Sequence, residues 1–234
     1  MSLLSLIDSE YKIVSVIGMA KNSGKTVTLN RIIEEAYDEN ICLGLTSIGR
    51  DGEKQDIVTS TDKPLIYINA GNIIATSSEL FNISKAKLEL LQITNFTTSM
   101  GNIVIARALS DGYVELAGPC TNREIRQVSN MMLGYGAEIV MVDGALDRSS
   151  SASPTISDAT ILASGAVLSR DMNKVIEKTL HQVELFKIKE LDDAGLCSKI
   201  TDCFSRSNIL IINKDHDIKE LDIKTALNAG VDIG

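Results

Sequence analysis

Short apolar runs alternate along this chain with longer stretches in which apolar residues recur every three or four positions. Residues 13–17 form a β-branched run that ends at Gly18, which is typical of a buried strand. Residues 25–37 have helical periodicity, with one apolar face formed by Leu29, Ile32, Ile33 and Ala36. Similar apolar runs predict further strands at residues 42–48, 65–68, 103–109, 139–142, 159–162 and 209–212.

Helical patterns lie between several of these runs and indicate the fold class. Helices are predicted at residues 85–93, 123–133 and 174–188. The last two have inward-facing apolar positions at Ile125, Val128, Met132, Ile176, Leu180 and Val183. Alternating strands and helices predict an α/β fold with a mostly parallel sheet flanked by helices. Asp111-Gly112 lies between the apolar runs 103–109 and 113–117 and signals a hairpin, so the sheet is predicted to be mixed.

The composition is that of a folded acidic protein. The 234 residues are 44% hydrophobic and 23% charged, and the formal net charge is −8. Nucleic acid and anionic membranes are disfavoured as partners, because both require a basic surface. The apolar runs are shorter than a membrane span, no signal peptide is evident, and the cysteines lack C-x-x-C spacing. These features predict a cytoplasmic protein, with a main domain at residues 1–216 and a truncated or frayed extension at 217–234.

Residues 18–26, which we call the glycine loop, read G-M-A-K-N-S-G-K-T. They carry the G-K-T end of a Walker A motif between a predicted strand and a predicted helix, where such a loop binds phosphate. Backbone N–H groups of the loop and the helix N-terminus converge on phosphate oxygens in that arrangement. Lys25 is predicted to reach the β and γ phosphates, and Thr26 to bind Mg²⁺. The remaining predicted nucleotide contacts are Lys21, Asn22, Ser23 and Gly24.

The start of the glycine loop departs from the usual motif. Met19 stands where the first Walker A glycine belongs, and Gly18 lies one residue earlier. The loop also differs from the deviant Walker A pattern, whose signature lysine position holds Ala20, with Lys21 one place later. The alternative interpretation is a glycine turn that merely joins a strand to a helix, but the flanking elements favour nucleotide binding.

Acidic residues at the ends of predicted strands are candidates for the metal side of the site. The run 139–142 ends in Asp143-Gly144 and resembles a Walker B strand, so Asp143 is predicted to lie beside Mg²⁺. The alternative is an Asp-Gly turn at a strand end, and the Walker A-like loop in the same chain favours the metal-side role. Asp147 and Arg148 follow closely, and they either orient water and stabilise transferred charge or are surface charges. Asp51 is a further metal-side candidate, with an ordinary turn as the alternative.

Residues 213–216 indicate which base is bound. They begin like the guanine-reading N-K-x-D motif, but His216 replaces the final carboxylate. Without that carboxylate the guanine N1 and N2 donors lose their bidentate acceptor, so ATP is favoured over GTP. Asn213 is the candidate base contact, and a polar strand end is the alternative.

The glycine loop and the Asp143 strand together resemble the P-loop NTPase superfamily, in the branch that includes dethiobiotin synthetase and metallocofactor-insertion NTPases. The chain is more specifically similar, over about residues 12–215, to reactivase subunits of the adenosylcobalamin-dependent lysine 5,6-aminomutase. The strings that carry this similarity are the glycine loop, S-I-G-R-D-G-E (47–53), E-L-A-G-P (115–119) and V-D-G-A-L-D-R (142–148). The resemblance implies an ATPase that uses Mg²⁺ to help exchange damaged cobalamin on the mutase, together with a second reactivase subunit.

Two other functions fit the same sequence. A small-molecule kinase or ligase resembling dethiobiotin synthetase would place its acceptor near Asp51, Arg148 and Gly118-Pro119. A nucleotide-sensing interaction protein would use ATP to order a loop without significant hydrolysis, and Lys25 would then serve binding alone. Turnover stimulated by a partner protein, by a metabolite or by neither distinguishes the three functions.

Overall fold

The structure, a computed structural model, describes residues 2–7, 10–48, 65–144, 156–187, 194–204, 209–212 and 218–221. The chain divides into two compact units, Met1–Val183 and Glu184–Gly234. The boundary predicted between residues 216 and 217 therefore falls inside the second unit. Among the described residues, no helix is long and apolar enough to cross a membrane.

Most of the described regular structure belongs to the first unit. Its helical segments are a 3₁₀ turn at Leu4–Leu6, α1 (Lys25–Asp38), α2 (Ser78–Asn82), α3 (Asn122–Gly134) and α4 (Met172–Phe186), the last of which extends into the second unit. Its strands are β1 (Ile13–Gly18), β2 (Leu43–Ser47), β3 (Ile66–Ile68), β4 (Ile73–Ser77), β5 (Leu88–Thr98), β6 (Gly101–Ala108), β7 (Gly112–Val114), β8 (Ile139–Asp143) and β9 (Ala159–Ala163). The second unit contains α5 (Ala194–Phe204), β10 (Ile209–Ile212) and β11 (Ile218–Leu221).

A seven-stranded sheet forms the centre of the first unit, in the order β5-β6-β4-β2-β8-β1-β9. The strands from β4 to β9 in this order pair in parallel, whereas β6 is antiparallel to both β4 and β5. The predicted α/β class, with a mostly parallel mixed sheet flanked by helices, is confirmed. Because the parallel strands share one direction, their carboxyl ends lie along one edge of the sheet, where ligands of open α/β sheets bind.

Two apolar layers cover the two faces of this sheet. Val14 and Val16 of β1 belong to the layer with α1, whereas Ile13 belongs to the layer with α3. The inward positions predicted for α1 and α3 are all buried, at Leu29, Ile32, Ile33, Ala36, Ile125, Val128 and Met132. Because both faces are covered, the central strands are continuous apolar runs rather than alternating ones.

Residues 85–93 were predicted to form a helix, and this prediction is wrong. Leu88 begins β5, an eleven-residue strand at the edge of the sheet. The pairing of β5 with β6 shifts register between Leu90 and Gln92, so Leu91 has no single partner opposite it. Such an irregularity breaks the two-residue alternation. The apolar positions on its two sides consequently imitate helical spacing.

The hairpin predicted at Asp111-Gly112 is also wrong. β7 begins there but pairs with β3 in a separate two-stranded sheet, whereas β6 pairs with β4 and β5. A Cβ at Gly112 would lie 2.8 Å from the Ala86 backbone, and Asp111 accepts a 2.7 Å hydrogen bond from the Ala70 amide. The turn residues therefore fix a close packing point instead of reversing β6 onto a neighbour.

The helix predicted at residues 174–188 exists as α4, but its apolar stripe does not face inward. Ile176 is 48% exposed and Leu180 55% exposed, and no residue of α4 is fully buried. The predicted strand at 209–212 is present as β10, paired antiparallel with β11. Periodicity therefore predicted the element types correctly, but it does not specify which neighbour covers an apolar face.

Candidate functional site

Four strand ends at the carboxyl edge of the sheet define the candidate site. The glycine loop leaves β1 at Gly18, and β8 ends at Asp143 between β1 and β2. Asp143 is in register with Val16 of β1 and with Ser47, the last residue of β2. The Ile48 amide also donates to the Asp143 carbonyl at 3.0 Å. Backbone pairing on both sides therefore fixes the position of the Asp143 carboxylate.

Left-handed backbone positions shape the glycine loop. Asn22 has φ 67° and Gly24 has φ 98°. Gly24 is also the N-cap of α1, and no side chain caps this helix end. The first amides of a helix have no intrahelical acceptor, and alternating left-handed residues turn successive N–H groups toward one side. The Ser23 amide already donates to the Ala20 carbonyl at 3.2 Å, so the first amides of α1 are the donors that suit an anion such as phosphate.

Gly18 and Ser23 lie against each other where the glycine loop begins and ends. A Cβ at position 18 would overlap Ser23 Oγ. Ser23 is only 6% exposed, and among the described residues its hydroxyl has no hydrogen-bond partner. The Met19 amide donates to the Ala163 carbonyl at 2.9 Å, which joins the loop entrance to the end of β9. Gly18 thus allows the Ser23 hydroxyl to lie close to the start of the loop.

An ion pair joins the two motifs that the sequence predicted to meet. Lys25 Nζ lies 2.7 Å from Asp143 Oδ1, with side chains 27% and 22% exposed. Thr26 is half-buried in the first turn of α1, and the exposed side chains of Lys21 and Asn22 flank the loop. The structure therefore brings a cation and a carboxylate together at the start of α1, with Thr26 next in the chain.

Four predicted site residues lie outside the described residues, namely Asp51, Asp147, Arg148 and Asn213. Their roles at the metal, the γ-phosphate and the base remain predictions. Within the described ranges, no three His, Cys, Asp or Glu side chains gather as a metal site. A divalent cation at Thr26 and Asp143 would therefore need further oxygen ligands, which nucleotide phosphates and water provide.

Sequence reasoning missed the side chains that hold residues 115–118 against the carboxyl edge. Ser47 Oγ donates to the Leu116 carbonyl at 2.9 Å and accepts from the Gly118 amide at 3.4 Å. A Cβ at Gly118 would overlap the Ser47 carbonyl. Glycine therefore allows this segment to pass directly over the end of β2, beside Asp143.

Thr76 holds the same segment one strand further along. Its hydroxyl donates to the Glu115 carbonyl at 3.1 Å and accepts from the Ala117 amide at 3.0 Å. The signal in the sequence was a hydroxyl residue at or next to the end of an otherwise apolar strand. That signal is weak, because buried serine and threonine also bond within their own strand.

The chain matches no protein-family model, and no curated protein or solved structure matches it. The fold therefore defines only a class: an α/β protein with a mostly parallel mixed sheet, whose glycine loop joins β1 to α1 at the carboxyl edge.

Proposed function

We propose that this protein is a Mg²⁺-dependent, ATP-binding P-loop NTPase, whose hydrolysis of ATP assists reactivation of a cobalamin-dependent aminomutase. The Lys25–Asp143 contact of 2.7 Å carries the nucleotide-binding part of this proposal. Lys25 belongs to the Walker A-like loop and Asp143 to the Walker B-like strand. Two motifs that are distant in the sequence, and that both serve nucleotide phosphates and Mg²⁺ in P-loop proteins, are thus joined by one ion pair.

The residues of the site fit a nucleoside triphosphate. The uncapped amides at the start of α1 and the unpaired Ser23 hydroxyl would donate hydrogen bonds to phosphate oxygens. Lys25 exchanges Asp143 for the β and γ phosphates, which frees the Asp143 carboxylate to face the metal side with Thr26. Mg²⁺, held by Thr26 and Asp143 in this proposal, would neutralise charge on the phosphates. In this proposal Asp147 orients the attacking water, Arg148 stabilises transferred charge, Asp51 lies on the metal side, and Asn213 contacts the adenine.

The aminomutase is proposed as the partner because four sequence strings resemble the reactivase family, and a second reactivase subunit is part of that proposal. The net charge of −8 is consistent with a protein partner rather than nucleic acid. Work on a partner enzyme requires that hydrolysis be coupled to a conformational change. Stimulation of ATP hydrolysis by the inactivated mutase is therefore the expected signature.

A small-molecule kinase or ligase is the second candidate, favoured by one observation. Ser47 and Thr76 hold residues 115–118 at the carboxyl edge, next to the strand that ends in Asp143. A rigid wall at this place suits an acceptor molecule that receives the γ-phosphoryl group. A metabolite would then stimulate turnover without any partner protein.

The test measures Mg²⁺-dependent hydrolysis of ATP and GTP by the wild type, Lys25→Ala and Lys87→Ala. Each protein is assayed with and without an adenosylcobalamin-dependent aminomutase inactivated by turnover. We expect mutase-stimulated ATP hydrolysis that is lost in Lys25→Ala and retained in Lys87→Ala, because Lys87 is exposed directly before β5, outside the glycine loop. Absence of nucleotide binding under all conditions would refute the P-loop assignment. Hydrolysis that the mutase leaves unchanged would refute only the reactivase role.

A further inference from the structure

A pocket opens near the carboxyl end of β4, away from the glycine loop. Its volume is about 300 Å³. α2, which follows β4 directly, contributes Leu80, while Tyr113 and Glu115 come from β7 and the residue after it. Ile83 and Lys85 line it from the segment between α2 and β5. A pocket of this size suits a small metabolite rather than a nucleotide or a protein partner.

The pocket carries two opposite charges that are not paired. Lys85 and Glu115 both line it, and neither makes an ion pair within 4.0 Å with any described residue. The Lys85 side chain is exposed and Glu115 is half-buried. Two opposite charges that share a pocket without meeting leave room for a ligand that carries both complementary charges.

Apolar side chains also line the pocket. Leu80 is buried at the base of the pocket, while Leu65 and Ile83 are 36% and 69% exposed around it. The Tyr113 ring is fixed by an edge-on contact with Tyr67, at 5.1 Å between ring centroids. The lining thus combines apolar side chains with polar and charged ones, and small-molecule sites use polar groups of this kind to orient a ligand.

We propose that this pocket binds a free α-amino acid with an apolar side chain. The ligand carboxylate pairs with Lys85, its ammonium group pairs with Glu115, and its side chain packs on Leu80 and Ile83. Both ionic contacts are charge-assisted, and each therefore contributes more than a neutral hydrogen bond. A ligand that lacks either charge leaves one of the two residues unpaired.

The pocket is separate from the proposed nucleotide site, and residues 115–118 connect the two. β2 and β8 lie between β4 and β1, so three strand spacings, about 14 Å in all, separate the two positions along the sheet. The Glu115 carbonyl accepts from Thr76, and the same segment reaches Gly118 beside Ser47. An amino acid held by Glu115 thus contacts the segment that passes over β2 beside Asp143.

The test is calorimetric titration of the nucleotide-free, full-length protein with L-leucine, L-leucinamide and 4-methylpentanoate. The amide lacks the carboxylate and the acid lacks the ammonium group, while both keep the apolar side chain. We expect saturable binding of L-leucine and at least about tenfold weaker binding of both analogues. Equal affinity for the three compounds, or no saturable binding of L-leucine at millimolar concentration, would overturn the proposal.

Variants locate the binding within the protein. Glu115→Gln and Lys85→Gln are expected to weaken L-leucine binding about tenfold, because each removes one ionic contact. Glu89→Gln and Lys87→Gln are the matched controls, since both side chains are exposed and neither lines the pocket. Thermal unfolding of each variant verifies that it is folded. Unchanged affinity in both pocket variants would refute this location.

Lys25→Ala separates this proposal from the proposed function. The pocket lies outside the glycine loop, so L-leucine affinity should be the same in Lys25→Ala as in the wild type. Loss of L-leucine binding in that variant would place the amino acid at the nucleotide site and contradict the pocket assignment. A protein that binds L-leucine but not ATP would refute the NTPase proposal alone.

Discussion

Gly18 packs directly against Ser23, and a Cβ at position 18 would overlap the Ser23 hydroxyl oxygen. The next nearest atoms to that Cβ are the Ala20 carbonyl oxygen and Lys25 Cβ, both at 3.4 Å, which is close to ordinary contact. The Ser23 hydroxyl therefore creates most of the requirement for glycine at position 18. It is also buried without a partner among the described residues, which suits a group reserved for a ligand.

Gly18→Ala is expected to destabilise the protein by about 1–3 kcal/mol, because the added methyl group overpacks the loop entrance. Ser23→Ala removes the overlapping oxygen, so the double variant should recover most of the lost stability. Ser23→Ala alone should unfold at the same temperature as the wild type or higher, while binding ATP more weakly. Thermal unfolding and ATP titration of the four proteins measure this cycle.

The cycle has a clear opposing outcome. Additive losses in the double variant would mean that the methyl group at position 18 meets something other than the Ser23 hydroxyl. If Ser23→Ala binds ATP as tightly as the wild type, then the Ser23 hydroxyl does not donate a hydrogen bond to phosphate.

Asp143→Asn tests whether Asp143 competes with nucleotide phosphates for Lys25. The carboxylate both occupies Lys25 and repels phosphate, so the amide should strengthen binding of Mg²⁺-free ATP by about tenfold. The gain in affinity that Mg²⁺ provides should shrink in the same variant, since a metal-side carboxylate is lost. Fluorescence titrations of ATP with EDTA and with Mg²⁺ give both quantities.

Asp38→Asn is the matched control for that experiment, because Asp38 is exposed at the last position of α1 and carries the same charge. It should leave both affinities unchanged. If Asp143→Asn weakens Mg²⁺-free ATP binding, then Asp143 does not compete with phosphate for Lys25.

The sequence predicted the central part of this site because local patterns determine it. β1, α1, α3 and β8 are covered on regular faces, so periodicity identified them and their inward residues. The G-K-T sequence then placed Lys25 at the start of α1, and the apolar run before Asp143 placed it at a strand end. The parallel alternation of elements put both ends at one edge, where the ion pair forms.

The features that sequence reasoning missed depend on contacts between distant segments. The irregular pairing near Leu91 disguised β5 as a helix, and β7 pairs with β3 although it follows β6 in the chain. The support that Ser47 and Thr76 give to residues 115–118 spans three separate segments. Lys85 and Glu115 line the same pocket, and β7, which precedes Glu115, pairs with β3 outside the large sheet. No local pattern in the sequence indicates that pairing.

The pKa of Glu35 provides a pH-dependent test of the N-terminal packing. The Leu4 amide and the Ser2 hydroxyl donate to its carboxylate at 2.8 and 2.7 Å, and Arg31 adds a 2.8 Å contact. Burial opposes these contacts, but together they lower the pKa from 4.5 to about 2. Because the folded pKa is depressed, the stabilisation is complete above pH 4.5 and is lost as the pH falls toward 2.

Glu35→Gln is expected to lower the thermal unfolding temperature at neutral pH and to flatten its decline between pH 4.5 and 2. Glu34→Gln is the control, because Glu34 meets Arg31 at 3.4 Å on the exposed surface, where ion pairs contribute little. The measurement is the unfolding temperature against pH for the three proteins. Parallel curves for the wild type and Glu35→Gln would contradict the assignment.

Gly118→Ala tests whether residues 115–118 must pass this close to β2. The added Cβ would overlap the backbone carbonyl of Ser47, and backbone cannot rotate away as a side chain can. We therefore expect a loss of about 1–3 kcal/mol in the free energy of unfolding, with no rescue by Ser47→Ala.

Gly134→Ala is the matched control, because Gly134 ends α3 and has no atom within 4 Å of the position of an added Cβ. This substitution should stabilise the helix by up to about 1 kcal/mol. Since Ser47 is in register with Asp143, Gly118→Ala should also alter ATP turnover, whereas Gly134→Ala should not. If Gly118→Ala is as stable and as active as Gly134→Ala, then the 115–118 segment does not support the candidate site.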